Sequence, residues 1–243
     1  MKKLIVGNWK MHGGRADLAQ IAAISRAAPD FGRVEAVACP PVVWLTEAAR
    51  ALESQALQLG AQDCSAHSGE GPYTGEVSAG MLAQAGASWV ILGHSERRAG
   101  FGESDALVRA KAMAAWRAGL RPIVCVGESL EQRRSGLAEQ VAAAQARSLD
   151  WSGEAPLAIA YEPLWAIGAG ITPCPEDIAR MNALLRKEIR GELRVLYGGS
   201  VKPGNAEALL QAGGVDGLLV GAASLDSDSF LAICKAAQAS GPV

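Results

Sequence analysis

Short apolar runs alternate with longer helical patterns along the whole chain, and this alternation constrains the fold more than any other feature of the sequence. The apolar runs have the length and composition of buried strands. They cover residues 4–9, 34–39, 57–61, 89–92, 122–126, 157–161, 193–197 and 217–220. The helical patterns cover residues 15–28, 43–55, 78–86, 103–118, 130–148, 176–190, 205–212 and 226–238. Because neighbouring parallel strands need a long connection, the alternation predicts an α/β fold with a parallel sheet.

Eight strand–helix units fit a closed (β/α)8 barrel, and a doubly wound open sheet is the alternative. The chain has 243 residues, which suits a barrel, because this fold often needs about 250 residues in a single domain. Hydrophobic residues make up 49% of the chain and charged residues 20%, which provides enough apolar material for a large core. Since no linker or change of composition divides the sequence, we expect one barrel domain over residues 1–243.

The charge and cysteine patterns argue against several classes of protein. A net charge of −2 without a Lys/Arg run does not fit a nucleic-acid partner. The sequence has no stretch that fits a membrane span, and its basic N-terminus lacks the apolar run of a signal peptide. The five scattered cysteines form no C-x-x-C pair, which favours reduced thiols over a disulfide framework or a metal site. They are Cys39, Cys64, Cys125, Cys174 and Cys234. We therefore expect a cytoplasmic protein without a metal.

Glu162 comes directly after the apolar run 157–161, and Pro163 prevents the strand from continuing. The next residues, up to Gly170, are first apolar and then rich in glycine, which is typical of a loop that closes over a ligand. A carboxylate under such a cover is a candidate general base. The alternative is a surface glutamate at an ordinary junction between strand and loop.

Polar side chains also follow the first and fourth predicted strands. Alternation along the first strand sends Asn8 and Lys10 to the same side of the chain. After the fourth strand, His94 precedes Ser95, which is suited to begin a short helix with Glu96 in its first turn. The positive end of that helix favours a neutral imidazole, which can donate a hydrogen bond to a carbonyl oxygen. The alternatives are a turn cap for Asn8, a solvated lysine and a packed structural histidine.

Glycine-rich turns follow the last two predicted strands, at residues 197–201 and 220–224. Such turns at the carboxyl end of a barrel can point backbone N–H groups at a phosphate. One Gly-Gly pair usually marks only a tight turn, but two such turns in the last two loops are more specific. The sequence therefore predicts a phosphate-binding site.

Five segments taken together resemble the triosephosphate isomerase family, in the family's order and over nearly the whole chain. They are Gly-Asn-Trp-Lys-Met at 7–11, Gly-His-Ser-Glu-Arg-Arg at 93–98, Ala-Tyr-Glu-Pro-Leu-Trp-Ala-Ile-Gly at 160–168, Tyr-Gly-Gly-Ser-Val at 197–201 and Val-Gly-Ala-Ala-Ser at 220–224. The resemblance implies a TIM barrel and the interconversion of dihydroxyacetone phosphate and glyceraldehyde 3-phosphate, a step of glycolysis and gluconeogenesis, without a cofactor.

The resemblance also implies a role for each site residue. Glu162 is the base, and His94 polarises the carbonyl group and moves protons between the two oxygens. Lys10 and Asn8 bind the substrate and stabilise the enediolate, and Glu96 holds Lys10 in place. Phosphate binding is implied for Gly168, Ser200, Gly221 and Ala222.

The glycine-rich segment 69–77 resembles the family's interface loop. The resemblance implies a homodimer in which Thr74 lies near the active site of the other subunit, whereas the segment on its own reads equally well as a mobile surface turn.

The chain departs from the family pattern at several positions, which are His12, Ala169, Ile171, Pro173 and Ala222. These departures lead us to expect altered motion of the lid and altered phosphate affinity. We expect strain at Ala222, where a positive φ would disfavour a side chain.

Two other functions stay open at this stage. One is a phosphosugar aldolase that uses Lys10 as a Schiff-base nucleophile, which requires an apolar pocket. The other is a phosphate-ligand binding protein, which does not need Glu162 and His94 together.

Overall fold

The eight predicted strands form a closed parallel barrel in which each strand pairs with its neighbours in sequence and β8 pairs with β1. The computed structural model describes residues 1–152, 156–167, 172–211 and 214–240. The strands are β1 (Lys3–Asn8), β2 (Val34–Cys39), β3 (Leu57–Ala61), β4 (Ala87–Leu92), β5 (Arg121–Val126), β6 (Leu157–Tyr161), β7 (Leu193–Tyr197) and β8 (Gly217–Val220). The predicted barrel is confirmed, and the open sheet is excluded because the pairing leaves no strand edge.

Ten α-helices lie in the described part of the chain. They are α1 (Leu18–Ala27), α2 (Leu45–Ala51), α3 (Ala79–Gln84), α4 (Ser95–Phe101), α5 (Asp105–Arg117), α6 (Leu130–Arg134), α7 (Ala138–Ser148), α8 (Pro175–Glu188), α9 (Ala206–Gln211) and α10 (Ser227–Ala239). None of the helices in the described ranges has the length and apolarity needed to cross a membrane.

One helix prediction is wrong. The sequence predicts a single helix over residues 130–148, but the structure has α6 and α7 with a break between them. Gly136 lies in this break with φ +72°, a left-handed conformation that ends a helix and that glycine adopts without steric cost. The short helix expected to begin at Ser95 is present as α4.

The apolar core has two layers. The larger layer lies between the outer faces of the strands and the helices, and includes Ile5, Leu45 and Phe230. The smaller layer fills the inside of the barrel, and includes Val6, Ile91 and Leu196. Because the interior is filled, a ligand site has to form above the strands, where loops join the carboxyl ends of the strands to the helices.

A polar cluster occupies the opposite end of the barrel, where the strands begin. Glu35 on β2 accepts hydrogen bonds from Arg121 on β5 at 2.7 Å and from Arg194 on β7 at 2.5 Å. Gln58 donates a third hydrogen bond to Glu35 at 3.1 Å. The guanidinium group of Arg121 lies 4.1 Å from the centre of a Trp89 ring, as in a cation–π contact. These groups close the lower end of the barrel with paired charges.

Candidate active site

The predicted site residues that the structure describes all line one cavity of about 800 Å³ at the carboxyl ends of the strands. These residues are Asn8, Lys10, His94, Glu96, Glu162, Ser200, Gly221 and Ala222. Residues from strands far apart in the sequence therefore meet around a common space, as the barrel predicts. Gly168 lies outside the described residues, as do Ala169 and Ile171.

Glu162 directly follows β6 and is buried, with 1% of its surface exposed. Its Oε2 accepts a hydrogen bond of 3.2 Å from the backbone N–H of Ser95. Its Oε1 lies 3.2 Å from Nε2 of His94, but without hydrogen-bond geometry, and no other group in the described ranges bonds to this oxygen. One carboxylate oxygen is therefore held in place while the other stays available.

Two glycines make room for Glu162. A Cβ atom on Gly127 would lie 1.8 Å from the carbonyl oxygen of Glu162, and one on Gly198 would lie 2.9 Å from its Cγ. Both distances are shorter than van der Waals contact. A larger residue at position 127 would displace the backbone of Glu162, and one at position 198 would displace its side chain. The neighbouring strands thus fix the position of Glu162 from both sides.

The hydrogen bonds of His94 define its tautomer. The residue caps α4, and its Nδ1 accepts a hydrogen bond of 3.2 Å from the backbone N–H of Glu96. Because a backbone amide can only donate, Nδ1 carries the lone pair and the proton of the neutral ring lies on Nε2. That proton lies on the side of the ring that faces Glu162. Sequence reasoning expected a neutral imidazole here, and this backbone contact supports it.

Lys10 is held in an uncommon conformation. Its φ is +53°, in the left-handed region that disfavours residues with a side chain. Its backbone N–H donates to Asn8 Oδ1 at 3.0 Å, and its carbonyl oxygen accepts from Gln62 Nε2 at 2.9 Å. The same Gln62 amide group also donates to the carbonyl oxygen of Cys39 at 2.8 Å. Strained residues of this kind often lie at functional sites.

The ammonium group of Lys10 forms an ion pair of 2.6 Å with Glu96 Oε1. Partial burial acts to raise the pKa of the Glu96 carboxyl, but the hydrogen bond from Lys10 and the positive charges around it outweigh this effect and lower the pKa. Glu96 therefore stays ionised at neutral pH and keeps a negative charge beside Lys10. Glu96 would hold Lys10 through this ion pair, and that role stays a prediction.

The phosphate end of the cavity is formed by the loops after β7 and β8. Gly221 precedes a short 3-10 turn, Ala222–Ser224, and its carbonyl oxygen accepts a hydrogen bond of 2.7 Å from the Ser224 hydroxyl. The expected strain at Ala222 is wrong, because Ala222 lies in this turn and is not among the residues with positive φ. An alanine at position 222 therefore keeps the backbone N–H and does not strain the backbone.

Sequence reasoning missed Glu128, which directly follows Gly127 after β5 and is completely buried. Its carboxylate accepts hydrogen bonds from Trp165 at 2.9 Å and from Tyr161 at 3.2 Å, and Arg133 lies 3.4 Å away. The sequence carries a signal for Glu128, because a carboxylate shortly after a strand end is the same pattern as at Glu162. Glu128 anchors the beginning of the predicted lid.

Cys125 is buried in the apolar core inside the barrel, near Glu162. Burial raises the pKa of its thiol well above the usual value, and the nearby carboxylate of Glu162 raises it further. The thiol therefore stays neutral beneath the carboxylate.

The site combines a buried carboxylate, a neutral imidazole donor and an ammonium group around one cavity. Such a set can remove a proton next to a carbonyl group and stabilise the resulting oxyanion. In the described ranges, His, Cys, Asp and Glu residues form no group of three that could hold a metal ion.

Comparison of the sequence and the structure with those of known proteins shows which family the chain belongs to. A sequence model described as triosephosphate isomerase matches residues 3–237. The chain belongs to the triosephosphate isomerase family. It is 47% identical to the triosephosphate isomerase of Afipia carboxidovorans and 48% identical to that of Thiobacillus denitrificans, in each case over 97% of this chain and 98% of the relative. The crystal structure of triosephosphate isomerase from Bartonella henselae superposes with a TM-score of 0.88 at 42% identity, and the match covers 97% of this chain and 99% of that one. Membership of this family identifies the protein as an isomerase.

Proposed function

We propose that the protein interconverts dihydroxyacetone phosphate and D-glyceraldehyde 3-phosphate in glycolysis and gluconeogenesis, with Glu162 as the base and His94 as the electrophile. One observation carries this proposal: the available oxygen of Glu162 and Nε2 of His94 lie 3.2 Å apart at the wall of the same cavity. A three-carbon substrate that enters this cavity can meet the carboxylate at a carbon atom and the imidazole at an oxygen atom.

The reaction begins when Glu162 removes a proton from C1 of dihydroxyacetone phosphate, next to the carbonyl carbon. The electron pair of the C–H bond forms the double bond of the enediolate, and negative charge develops on the carbonyl oxygen. The Nε2–H group of His94 donates to that oxygen, and the ammonium group of Lys10 stabilises the charge. His94 then moves a proton between the two oxygens, and Glu162 returns its proton to C2. A carboxylate base beside a neutral histidine is the established description of catalysis in this family.

The remaining site residues bind and orient the substrate. Asn8 lies at the end of β1 with 5% of its surface exposed, and its Oδ1 is occupied by the backbone of Lys10. The side-chain amide nitrogen is then the part of Asn8 that can donate to the substrate. We assign the phosphate group to the loops that contain Ser200, Gly221 and Ala222, which line the cavity. Gly168 completes this set in the proposal, on the strength of the family resemblance.

A coupled assay with glyceraldehyde 3-phosphate tests the function. We expect Glu162→Ala to lower kcat by about a thousandfold, because general base catalysis contributes about 10² to 10⁴ in rate. Glu207→Ala is the matched control, since Glu207 is an exposed glutamate on α9, outside the cavity. An inactive parent protein, or equal turnover of the parent and Glu162→Ala, would contradict the proposal.

The aldolase alternative is disfavoured by the surroundings of Lys10. A lysine that forms a Schiff base must lose its proton, and the ion pair with Glu96 stabilises the protonated form. Borohydride reduction in the presence of dihydroxyacetone phosphate should leave Lys10 unmodified, and a trapped adduct would revive the alternative.

We also propose a homodimer formed through the loop around Thr74. Residues 69–76 are all exposed in the single chain. A groove of about 490 Å³ lies beside the active site and is lined by Met11 and Phe101, which are 94% and 74% exposed. The loop of a second copy would cover these apolar side chains.

Sedimentation velocity at micromolar concentration tests the dimer. The parent should sediment as a dimer and Phe101→Glu as a monomer, because a charge would be buried at the interface. Leu137→Glu changes an exposed apolar residue outside the groove and should stay dimeric. A monomeric parent would contradict the proposal.

We further propose that residues 1–243 act as one catalytic domain in the cytoplasm. The barrel, which uses strands from both ends of the chain, supports the single domain. The cysteines, none of which forms a disulfide, support a reducing compartment.

A further inference from the structure

Gln145 on α7 makes a hydrogen bond that links the outer layer of helices to the loop beside Glu162. Its Oε1 accepts from the backbone N–H of Gly127 at 2.8 Å. Gly127 is buried directly after β5, whereas Gln145 is partly buried and does not line the cavity that holds the site. Gln145 therefore contacts the active-site end of the barrel without a place in the substrate cavity.

Gly127 lies in a segment that pairs with the backbone around Glu162. The backbone N–H of Glu162 donates to the carbonyl oxygen of Val126 at 2.7 Å, and the N–H of Leu164 donates to that of Glu128 at 3.0 Å. Gly127 lies between these two hydrogen bonds, and a Cβ atom on it would lie 1.8 Å from the carbonyl oxygen of Glu162. Because the two backbones are in direct contact, a shift of Gly127 would displace Glu162.

We propose that Gln145 is a positioning residue, which holds Gly127 in place and, through Gly127, the backbone of the base Glu162. A buried backbone N–H is costly without a partner. If residue 145 cannot accept, the N–H of Gly127 loses this hydrogen bond, and its segment is expected to move towards another acceptor. The carboxylate of Glu162 would then approach the substrate in a less favourable position. This inference rests on the proposed function, since it takes Glu162 as the base.

Gln145→Met tests the proposal, because methionine has nearly the length of glutamine but lacks the oxygen that accepts from Gly127. We expect kcat per folded molecule to decrease by about tenfold, since a misplacement of about 1 Å can cost about a hundredfold in rate and the shift here is smaller. KM and the inhibition constant of inorganic sulfate should change by less than about twofold. The loops assigned to the phosphate follow β7 and β8, not β5.

The kinetic isotope effect reports on the proton transfer itself. With dihydroxyacetone phosphate deuterated at C1, the isotope effect on kcat should be larger for Gln145→Met than for the parent, because a displaced base slows proton removal relative to the other steps. A loss of folded protein would lower the amount of active enzyme and leave this isotope effect unchanged. Gln145→Glu keeps an acceptor oxygen at the same position and should restore kcat to within about twofold of the parent.

Gln238→Met is the matched control. Gln238 on α10 makes the same kind of hydrogen bond, in which its Oε1 accepts from the backbone N–H of Arg33 at 2.8 Å, at the opposite end of the barrel where β2 begins. This variant should keep the kcat and the isotope effect of the parent. The inference is overturned if Gln145→Met keeps both, if Gln238→Met loses kcat equally, or if Gln145→Glu fails to restore it. A parent without isomerase activity would instead refute the proposed function, so the two failures are distinguishable.

Discussion

Glu35 is partly buried and Glu162 is buried, and they lie at opposite ends of the barrel with opposite surroundings. Both oxygens of Glu35 are bound, one by Arg121 and Gln58 and the other by Arg194. Glu162 has one backbone hydrogen bond, and its second oxygen has no hydrogen-bond partner in the described part of the chain.

The comparison separates two uses of a carboxylate that is largely removed from water. A buried charge is costly unless it is paired, and the arginines around Glu35 offset that cost. Glu162 lacks such a cation at hydrogen-bond distance in the described residues. A buried carboxylate oxygen without a partner is expected to destabilise the fold. In the proposed mechanism, this oxygen takes the proton from the substrate. In natural enzymes, active-site residues often lower the stability of the fold while they are required for activity.

The largest expected effect comes from Glu162→Gln, which keeps the shape and removes the base. We expect kcat to decrease by about a thousandfold. The free energy of unfolding should stay within about 0.5 kcal/mol of the parent or increase, because the amide removes a buried charge. Coupled assays and urea unfolding measure the two quantities. A loss of more than about 2 kcal/mol would mean that Glu162 is mainly structural.

The second-largest effect on activity comes from His94→Gln, which changes only the active-site end of the barrel. We expect turnover to decrease by about a hundredfold, because removing one group that stabilises the oxyanion typically costs about that much. The glutamine side chain can still donate a hydrogen bond but cannot pass a proton between the two oxygens. Steady-state kinetics in both directions measure the effect, and unchanged rates would remove His94 from the mechanism.

Glu35→Gln should give the opposite result to Glu162→Gln. Removing the charge leaves two arginines without their partner, and we expect the free energy of unfolding to decrease by about 2 kcal/mol. The activity per folded molecule should stay the same, since Glu35 lies at the far end of the barrel from the catalytic cavity. Urea unfolding and the coupled assay test both parts. Lost activity in a fully folded variant would show that the two ends are coupled.

The smallest effect is the pH dependence of the stabilisation that Glu35 gives to the fold. Burial acts to raise the pKa of Glu35, but hydrogen bonds and charges from Arg194, Arg121 and Gln58 outweigh this and lower it from 4.5. A carboxyl whose pKa is lower in the folded state than in the unfolded state stabilises the fold at a pH above its pKa in the unfolded state. This contribution is lost as the pH falls through its pKa in the folded state.

The difference in unfolding free energy between the parent and Glu35→Gln should therefore be constant from pH 7 to about pH 5 and shrink below about pH 4.5. Urea titrations at several pH values measure it. A difference that grows on acidification would mean that the pKa is raised instead.

The two ends of the barrel differ in how well the sequence predicts them. The catalytic end could be predicted because its residues follow strand ends, which are visible as the last positions of apolar runs. The rule that such positions converge made Glu162 and His94 candidates, and the family resemblance was needed to assign their roles. The ionic cluster at the other end could not be predicted, because Glu35 and Arg194 are 159 positions apart and meet only through the register of the closed barrel.

Local backbone geometry was also hard to predict. The break between α6 and α7 depends on the left-handed conformation of Gly136, while the surrounding residues favour a helix. The expected strain at Ala222 was wrong because the turn after β8 is a 3-10 turn, which needs no positive φ. In both cases a single backbone torsion decided the result, and residue type alone did not determine it.

The backbone of Lys10, fixed by Asn8 and Gln62, has a consequence for substrate affinity. A free lysine loses about 2 kcal/mol of rotamer entropy when it becomes ordered. Here the loop is ordered by neighbouring strands and the side chain by Glu96 before any ligand arrives. That entropy is lost when the chain folds, so the interaction of the ammonium group with a triose phosphate can contribute almost fully to binding and to the rate.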